Sequence, residues 1–366
     1  MNIQTIQNPT QVEMTLTRHC PLVTCGQDVK RGERIATSNA PDKGDIHAPF
    51  PGKVAHVDPY RIRIDVKEGE TVEPLSFNRI HGNELQNHLR ELGADLPTCE
   101  PVDTLIINAV DAEQGIVTRR DLLANCHDTL EVGAKALVEA YNPASTTIAM
   151  LKDSSKKLDG LSVTIISEQY PAGLDPLVIK AVTDSEVPEN TIVIGLETVF
   201  HVGRIMETGL PIMETMVTVE DKGRIVPLGT PVGEIINETG EIIHDRDRII
   251  LGGPMRGTAA ASPGQGVDRT TCAIAVVSNP APVAKDTACV GCGECVRHCP
   301  ARLDPAMITS YSEFGMYDKA AAEHVDVCFE CGLCGFFCIA RRPMLQYIRL
   351  AKSELAQAAA LSGEEN

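Results

Sequence analysis

Eight of the 13 cysteines in this 366-residue chain fall into two runs near its carboxyl end. The runs are Cys289, Cys292, Cys295 and Cys299, followed by Pro300, and then Cys328, Cys331, Cys334 and Cys338, followed by Ile339. Each run has the C-x2-C-x2-C-x3-C spacing with which bacterial ferredoxins hold [4Fe–4S] clusters. The chemistry that these residues indicate is single-electron transfer through two clusters.

The ligands of the two clusters are expected to cross over between the runs. Three closely spaced cysteines reach three corners of one cluster, whereas the fourth lies one helical turn later and faces the other cluster. The expected ligand sets are Cys289, Cys292, Cys295 and Cys338 for one cluster, and Cys328, Cys331, Cys334 and Cys299 for the other. Structural zinc is the alternative, but zinc sites usually draw two short cysteine pairs from separate knuckles.

The five cysteines outside the runs are scattered, and their number is odd. They are Cys20, Cys25, Cys99, Cys126 and Cys272. This remainder argues against a disulfide framework and for a reducing, cytoplasmic compartment. The amino-terminal stretch is polar and no run of 18 apolar residues occurs, so the sequence predicts neither a signal peptide nor a transmembrane segment of its own.

The chain is strongly acidic, with a formal net charge of −17. Two bound clusters with their eight thiolates would bring the charge to about −21. This charge, together with the absence of tryptophan, predicts that nucleic acid is not a partner. An acidic surface suits docking to the basic face of a redox partner, although a solvated exterior without a partner is the commoner explanation.

The hydrophobic pattern predicts a multidomain α+β fold of five parts. Residues 1–77 form a small β domain whose glycine and I-H-A-P spacing resembles the barrel-sandwich hybrid of lipoyl and biotinyl carriers. Residues 78–213 alternate apolar strands with helices, which predicts an α/β body with a mostly parallel sheet. Residues 214–252 suit a β-grasp module, 253–285 a linker rich in Gly, Pro, Ala and Ser, and 286–366 a helical two-cluster ferredoxin-type domain.

The order of these parts resembles one family, the C subunit of the Rnf ion-translocating electron transport complex. Matching motifs are I-H-A-P-x-x-G, D-T-L-I-I-N, Y-P-x-G at 170–173, the T-V-x-D and P-L-G-T-P-V-G-E segments within 218–234, and G-G-P-M at 252–255. Related proteins are the Rnf-C-like corrin reductase of propanediol metabolism and the A subunit of the sodium-pumping NADH:quinone reductase. The resemblance implies that 78–213 is similar to the flavoprotein core of respiratory complex I, and that 214–252 is a soluble-ligand-binding segment.

One motif of the family is missing. Members that oxidise NADH carry a glycine-rich loop ahead of the D-T-L-I-I-N strand, where backbone N–H groups hold the flavin phosphate. Here residues 92–103 offer one glycine, Gly93, with two prolines, Pro97 and Pro101, and acids that include Asp95 and Glu100. The next motif keeps only carboxylates, namely Asp111, Glu113 and Asp121, which mark a vestigial flavin and NADH region or a solvated surface. The chain is therefore expected to bind neither FMN nor NADH.

The sequence thus favours an electron-relay subunit without a catalytic residue of its own. It would pass single electrons between a soluble carrier, ferredoxin or similar, and the membrane flavin subunits of an Rnf-like complex, as a peripheral protein on the cytoplasmic face of the membrane. The alternative is a complete NADH-oxidising FMN and iron–sulfur flavoenzyme with a divergent flavin site. A third and weaker interpretation is a scaffold subunit whose clusters are structural.

Overall fold

The computed structural model describes residues 9–154, 156–280 and 288–362. The chain forms two compact units. The larger unit comprises Met1–Gly253 and Thr258–Ser278, and the smaller one comprises Pro254–Gly257 and Asn279–Asn366. Among the described residues, no helix combines the length and the apolar character needed to cross a membrane.

The larger unit begins with two antiparallel sheets. Their strands are β1 (Gln11–Thr15), β2 (His19–Pro21), β3 (Asp28–Val29), β4 (Arg34–Ser38), β5 (Ile46–His47), β6 (Gly52–Asp58) and β7 (Arg61–Val66). One sheet has the order β1-β7-β6-β3 and the other the order β2-β4-β5. In β7, Ile62 and Ile64 are buried, whereas Arg61 and Arg63 are not. Successive side chains of a strand point to opposite faces, so this alternation is expected. The region is all β as predicted, and its assignment to a barrel-sandwich hybrid stays a prediction.

A four-stranded sheet with helices follows. Its elements are α1 (Gly82–Glu91), β8 (Thr104–Asn108), α2 (Thr118–Asn125), α3 (His127–Tyr141), β9 (Ser145–Met150), β10 (Ser162–Ile165), α4 (Asp175–Thr183), β11 (Thr191–Gly195) and α5 (Leu196–Thr208). The strand order is β10-β9-β8-β11, and all three pairings are parallel. The parallel sheet predicted from alternating strand and helix signals is thus confirmed.

Helices α3 and α5 lie unusually close together. A Cβ built on Gly133 would stand 2.0 Å from the Val199 carbonyl oxygen, and one on Gly203 would stand 2.1 Å from the Thr129 carbonyl oxygen. Only glycine fits at these two contacts, because any side chain would push the helix backbones apart. The backbones of α3 and α5 are therefore in direct contact at these two glycines.

The third sheet corrects the predicted linker. Its elements are β12 (Glu214–Val219), β13 (Lys222–Pro227), α6 (Val232–Thr239), β14 (Arg248–Leu251), β15 (Thr258–Ala259) and β16 (Ala273–Val277), with strand order β13-β12-β16-β14-β15. The prediction of a linker over 253–285 is wrong for β15 and β16, and residues 281–285 of that range lie outside the described residues. The apolar β16 pairs with β12 and β14 at the centre of the sheet. The segment was predicted to be a linker because Gly, Pro and Ser residues flank this short strand.

The smaller unit is helical. It contains α7 (Glu294–Arg297), α8 (Pro305–Glu313), α9 (Tyr317–Ala322), α10 (Leu333–Phe336) and α11 (Met344–Ser362). Asp304 caps α8, because its carboxylate accepts hydrogen bonds from the N–H groups of Ala306 and Met307 at 3.0 and 3.1 Å. Ile308, Ala320, Val325 and Ile348 pack into its small core together with cysteines of both runs. The fold is thus mixed α/β with a carboxyl-terminal region that carries both cysteine runs.

Candidate iron-sulfur centres and an acidic cavity

The two cysteine runs adopt the same local conformation. Gly293 and Gly332, which follow the second cysteine of each run, have φ of 73° and 75° and directly precede α7 and α10. Two residues after the first cysteine, the N–H of Gly291 donates to the Cys289 Sγ at 3.4 Å. Glu330, at the equivalent position, also has a positive φ, and its N–H donates to the Cys328 Sγ at 3.4 Å. Both loops therefore aim backbone N–H groups at sulfur, as cluster-binding loops do.

The cysteines surround two separate cavities. A cavity of about 220 Å³ has four cysteines in its lining, which are Cys289, Cys292, Cys295 and Cys338. A smaller cavity has the other four, which are Cys299, Cys328, Cys331 and Cys334. Each cavity thus combines three cysteines of one run with the fourth of the other. This is the grouping that crossed ligation requires, and the ligand assignment itself stays a prediction.

The two cavities, named here the Cys289 cavity and the Cys328 cavity, differ in burial. Cys289 is exposed, whereas Cys331 and Cys334 are both only 7% exposed. Burial, together with the neighbouring thiols of Cys328, Cys331 and Cys299, raises the pKa of the Cys334 thiol to about 12. Burial likewise raises the pKa of Cys328 and of Cys331.

These thiols need a cation to become thiolates together. Removing four protons in one buried pocket would place like charges side by side, and iron supplies the positive charge that offsets them. The residues present fit a [4Fe–4S] cluster in each cavity, because four sulfur donors and backbone N–H groups converge there. Among the described residues, no three His, Cys, Asp or Glu side chains are placed to hold a single metal ion.

Charged side chains border the two cavities differently. Near the Cys328 cavity, Lys352 donates to the Cys328 carbonyl oxygen at 2.8 Å and pairs with Glu330 at 3.0 Å. Arg349 also pairs with Glu330, at 2.9 Å. Near the Cys289 cavity, Arg297 donates to the Cys292 carbonyl oxygen at 3.0 Å, but its side chain is 60% exposed. Lys352 and Arg349 were not predicted from the sequence, because they belong to α11 and lie outside both cysteine runs.

One aromatic contact joins the two runs. The rings of His298 and Phe337 stack with centroids 3.6 Å apart and planes 16° apart. Phe336 packs edge-on against Phe337. His298 and Phe337 each stand directly before the fourth cysteine of their run, so equivalent positions of the two runs meet.

The three carboxylates of the vestigial motif gather at another cavity, of about 480 Å³, in the larger unit. This acidic cavity lies beyond the carboxyl ends of β8, β9 and β10, and its lining includes Asp111, Glu113 and Asp121. That edge of a parallel sheet is where α/β proteins place their ligands. The structure therefore brings together all three residues that the sequence singled out.

Each of these carboxylates already has a structural contact. Asp111 accepts hydrogen bonds from the N–H groups of Arg119 and Arg120 in the first turn of α2, at 2.7 and 3.2 Å. Asp121 accepts one from the N–H of Gly223 in β13, at 2.8 Å. Glu113 is buried against Gly253, where a Cβ would stand 2.2 Å from its Oε2.

Burial controls the charge of Asp111. It raises the pKa of this carboxyl to about 6, while the N–H groups of α2 and the Arg119 guanidinium act in the opposite direction. Arg119 is itself buried and pairs with Glu197 at 2.9 Å. This ion pair joins the first turn of α2 to α5 and was not predicted from the sequence.

Residues 92–103, where the resemblance predicted a glycine-rich loop, lie away from the acidic cavity. None of the described residues 92–103 lines the acidic cavity. Asp95 instead pairs with Arg269 at 2.9 Å and with Lys43 at 3.1 Å, and Ala94 and Leu96 are fully buried. The segment thus contributes to the core and to ion pairs with Lys43 of the amino-terminal region and with Arg269, which precedes β16.

Comparisons with known proteins agree with the cysteine pattern. Residues 281–339 match the family model described as a 4Fe-4S dicluster domain. The C subunit of the proton-translocating ferredoxin:NAD(+) oxidoreductase complex of Clostridium ljungdahlii is 26% identical, over 91% of this chain and 84% of that protein. The C subunit of the ion-translocating oxidoreductase complex of Rhodobacter capsulatus is 25% identical, over 97% and 80%. The C subunit of the Na(+)-translocating ferredoxin:NAD(+) oxidoreductase complex of Acetobacterium woodii is 24% identical, over 92% and 87%.

Among solved structures, an NAD+-reducing [NiFe]-hydrogenase in the air-oxidized state is similar with a TM-score of 0.43 and 13% identity, covering 78% of this chain and 65% of that one. The H2-reduced state of such an enzyme gives a TM-score of 0.42. The sequence comparisons carry the assignment. Over more than 90% of its length, this chain resembles the C subunits of the ion-translocating oxidoreductase complexes, the Rnf type.

Proposed function

We propose that this chain is the iron–sulfur electron-transfer subunit of a membrane-associated, Rnf-like complex. It would relay single electrons through two [4Fe–4S] clusters between a soluble carrier, ferredoxin or similar, and the membrane flavin subunits. The observation that carries the proposal is the division of eight cysteines into two cavities, each lined by three cysteines of one run and the fourth of the other. Relatives named as members of such complexes support the setting.

The chain's own residues hold and tune the two sites. When bound, the clusters supply one-electron redox chemistry. The N–H groups of Gly291 and Glu330 donate to sulfur and stabilise negative charge there. Lys352 stabilises additional negative charge near Cys328, because its ammonium group is partly shielded from solvent. The exposed Cys289 places its cavity closer to an outside partner.

The proposal includes the absence of FMN and NADH binding. The supporting observation concerns residues 92–103, which stand where the family has a phosphate-binding loop. Side chains of this segment are buried in the core, and Asp95 forms ion pairs with Arg269 and Lys43. The carboxylates at the acidic cavity would also repel a phosphate. Asp111, Glu113 and Asp121 then have structural roles.

A second candidate is an NADH-oxidising FMN and iron–sulfur flavoenzyme. The observation that favours it is the acidic cavity itself, which has the volume of a small-molecule site and lies at the carboxyl edge of the parallel sheet. A flavin there would have to be held without a glycine-rich loop. The two candidates differ in one measurable property, the response to NADH.

The test is the cofactor content of the anaerobically purified full chain, followed by reduction. We expect about eight iron and eight sulfide per chain, no stoichiometric flavin, and clusters reduced by dithionite but not by NADH. Stoichiometric flavin with rapid bleaching of the cluster absorbance by NADH would instead establish the flavoenzyme. Bound zinc without labile sulfide would refute both candidates.

The location of the protein is a separate part of the proposal. We expect it at the cytoplasmic face of the cell membrane, held by partner subunits and released by salt or mild detergent, because ionic contacts weaken as salt screens them. Fractionation of gently lysed native cells tests this. Recovery as a partnerless soluble protein would count against membership of a complex.

A further inference from the structure

Another cavity of the larger unit, of about 410 Å³, plays no part in the proposed function. Residues of β1, β2 and β5 line it together with the loops that carry Asp95 and Arg269. Its apolar wall is formed by Met14, Ile46, Ile212 and Leu228. A volume of this size is typical of sites for small organic molecules.

The buried imidazole of His47 lines this cavity, which is called here the His47 cavity. His47 belongs to the I-H-A-P motif and is 5% exposed. Its Nδ1 has no hydrogen-bond partner among the described residues. Burial lowers the pKa of His47 to about 4, so the ring is neutral at physiological pH. A buried polar atom without a partner is rare and calls for a bound molecule or water that completes its hydrogen bond.

The charges around the His47 cavity leave an excess of positive charge. Of its carboxylates, Asp45 is neutralised at 3.0 Å by Arg34, which lies outside the lining. Asp95 is shared by two cations of the lining, Lys43 at 3.1 Å and Arg269 at 2.9 Å.

The remaining charged groups of the lining are Asp268 and Arg18. The Asp268 carboxylate accepts hydrogen bonds from the hydroxyls of Thr270 and Thr271, at 2.7 and 3.0 Å. Arg18 is exposed and forms no ion pair among the described residues. With Asp45 already paired from outside, three cations of the lining face two carboxylates. In a chain with a net charge of −17, this local excess favours an anion.

We propose that the His47 cavity binds a small organic carboxylate, whose acid group pairs with Arg18, whose ring or chain packs on the apolar wall, and whose polar substituent hydrogen-bonds to His47. The three parts of the ligand correspond to the three properties of the cavity. A neutral histidine suits a hydroxyl or amide, because it both donates and accepts a hydrogen bond.

The charge requirement is tested by calorimetric titration of the full chain with 4-hydroxybenzoate and with its uncharged counterpart 4-hydroxybenzamide. We expect saturable binding of the carboxylate and binding of the amide that is weaker by about threefold or more, because an exposed ion pair contributes modestly. Arg18→Gln should weaken 4-hydroxybenzoate binding by a similar factor. Arg31→Gln is the matched control, since Arg31 is an exposed arginine of the same β region that does not line the cavity.

The role of His47 is tested with two variants. His47→Phe removes the hydrogen bond and should weaken 4-hydroxybenzoate binding by about fivefold, whereas His47→Gln should retain most of it. Thermal unfolding without ligand should show no loss of stability in His47→Phe, since the atom that it removes has no partner. A purely structural histidine would lower the unfolding temperature without affecting the choice between the two probes.

The proposal is overturned if 4-hydroxybenzoate shows no saturable binding at millimolar concentration, or if it binds Arg18→Gln or His47→Phe as tightly as the unaltered chain. If His47→Phe does not fold, the comparison of Arg18→Gln with its control Arg31→Gln still decides. None of these results depends on the iron–sulfur clusters, so they leave the proposed function untouched.

Discussion

The cysteine cavities and the acidic cavity each gather ligands of one kind, but they differ in what the chain itself supplies. At the acidic cavity, backbone N–H groups of α2 and β13 already meet the carboxylates of Asp111 and Asp121. At the Cys328 cavity, burial and neighbouring thiols raise the pKa of Cys334 to about 12, although the N–H of Gly335 acts in the opposite direction. The first site is complete with protein groups alone, whereas the second is complete only with a cation. A cluster of potential ligands therefore indicates a cofactor when the protein itself provides too little positive charge to stabilise the ionised ligands.

The sharpest way to break this comparison is to remove iron from the full chain with a chelator. The smaller unit has a small core in which cysteines take part, so cluster binding should supply much of its folding free energy. We expect proteolysis within residues 288–362 to accelerate by at least about a hundredfold, while residues 9–278 stay resistant. Limited proteolysis with mass spectrometry measures both regions in one sample. Equal resistance to proteolysis before and after chelation would show that the cysteine cavities, like the acidic cavity, need no cation to stay folded.

Double variants test the crossed ligation. Cys299→Ala combined with Cys328→Ala removes two cysteines of one cavity, so about four iron per chain should remain. Cys299→Ala combined with Cys289→Ala removes one cysteine from each cavity, so both clusters should be lost. Iron analysis and spin resonance of the anaerobic proteins distinguish the two. Ligation within each run would reverse the two results.

Asp111→Asn tests the acidic side of the comparison. The folded-state pKa of Asp111, about 6, lies above its ordinary value, because burial disfavours the carboxylate. Its contribution to stability is therefore present below about pH 4 and is lost as the pH rises through 6. We expect Asp111→Asn to flatten this part of the pH profile, with a gain over the unaltered chain of up to about 3 kcal/mol above pH 6.

Urea unfolding of the larger unit between pH 4 and 8 measures the effect of Asp111→Asn. Asp153→Asn is the control, because Asp153 is an exposed carboxylate of the same cavity. A profile that keeps its slope in Asp111→Asn would assign the pH dependence to another group.

The smallest expected effect compares single cations at the two cysteine cavities. Lys352→Met removes a partly shielded ammonium group near Cys328 and should lower the reduction potential of that cluster by ~40 mV, the equivalent of ~1 kcal/mol. Arg297→Met should change the potential of the other cluster less, since solvent screens that exposed side chain. Redox titration followed by spin resonance measures both. A higher potential in Lys352→Met would contradict the electrostatic role.

The sequence was sufficient where the information is local. The spacing of a cysteine run determines its loop, because the N–H that contacts Cys289 belongs to a residue two positions later. Alternating strand and helix patterns likewise predicted the parallel sheet. Strand β16 escaped because its pairing with β12 depends on residues more than 50 positions away, and its glycine-rich flanks resemble a linker.

The chemistry of the carboxylates and of His47 could not be inferred from the sequence. Asp121 meets the N–H of Gly223, about a hundred positions later, and only the fold shows that contact. Lys352 reaches the Cys328 loop because α11 packs in the same small core as cysteines of both runs. His47 stood in a motif, but its missing partner and its burial are properties of the folded cavity.

The stacked rings of His298 and Phe337 point to internal symmetry. Contact between equivalent positions of two repeats is what a local two-fold relation produces in a symmetric dimer. The smaller unit thus resembles a homodimer fused into one chain. Its halves have diverged, with Arg297 opposite Phe336 and Pro300 opposite Ile339. A change at His298 or Phe337 therefore lies at a contact that both runs share, so it acts on both halves at once.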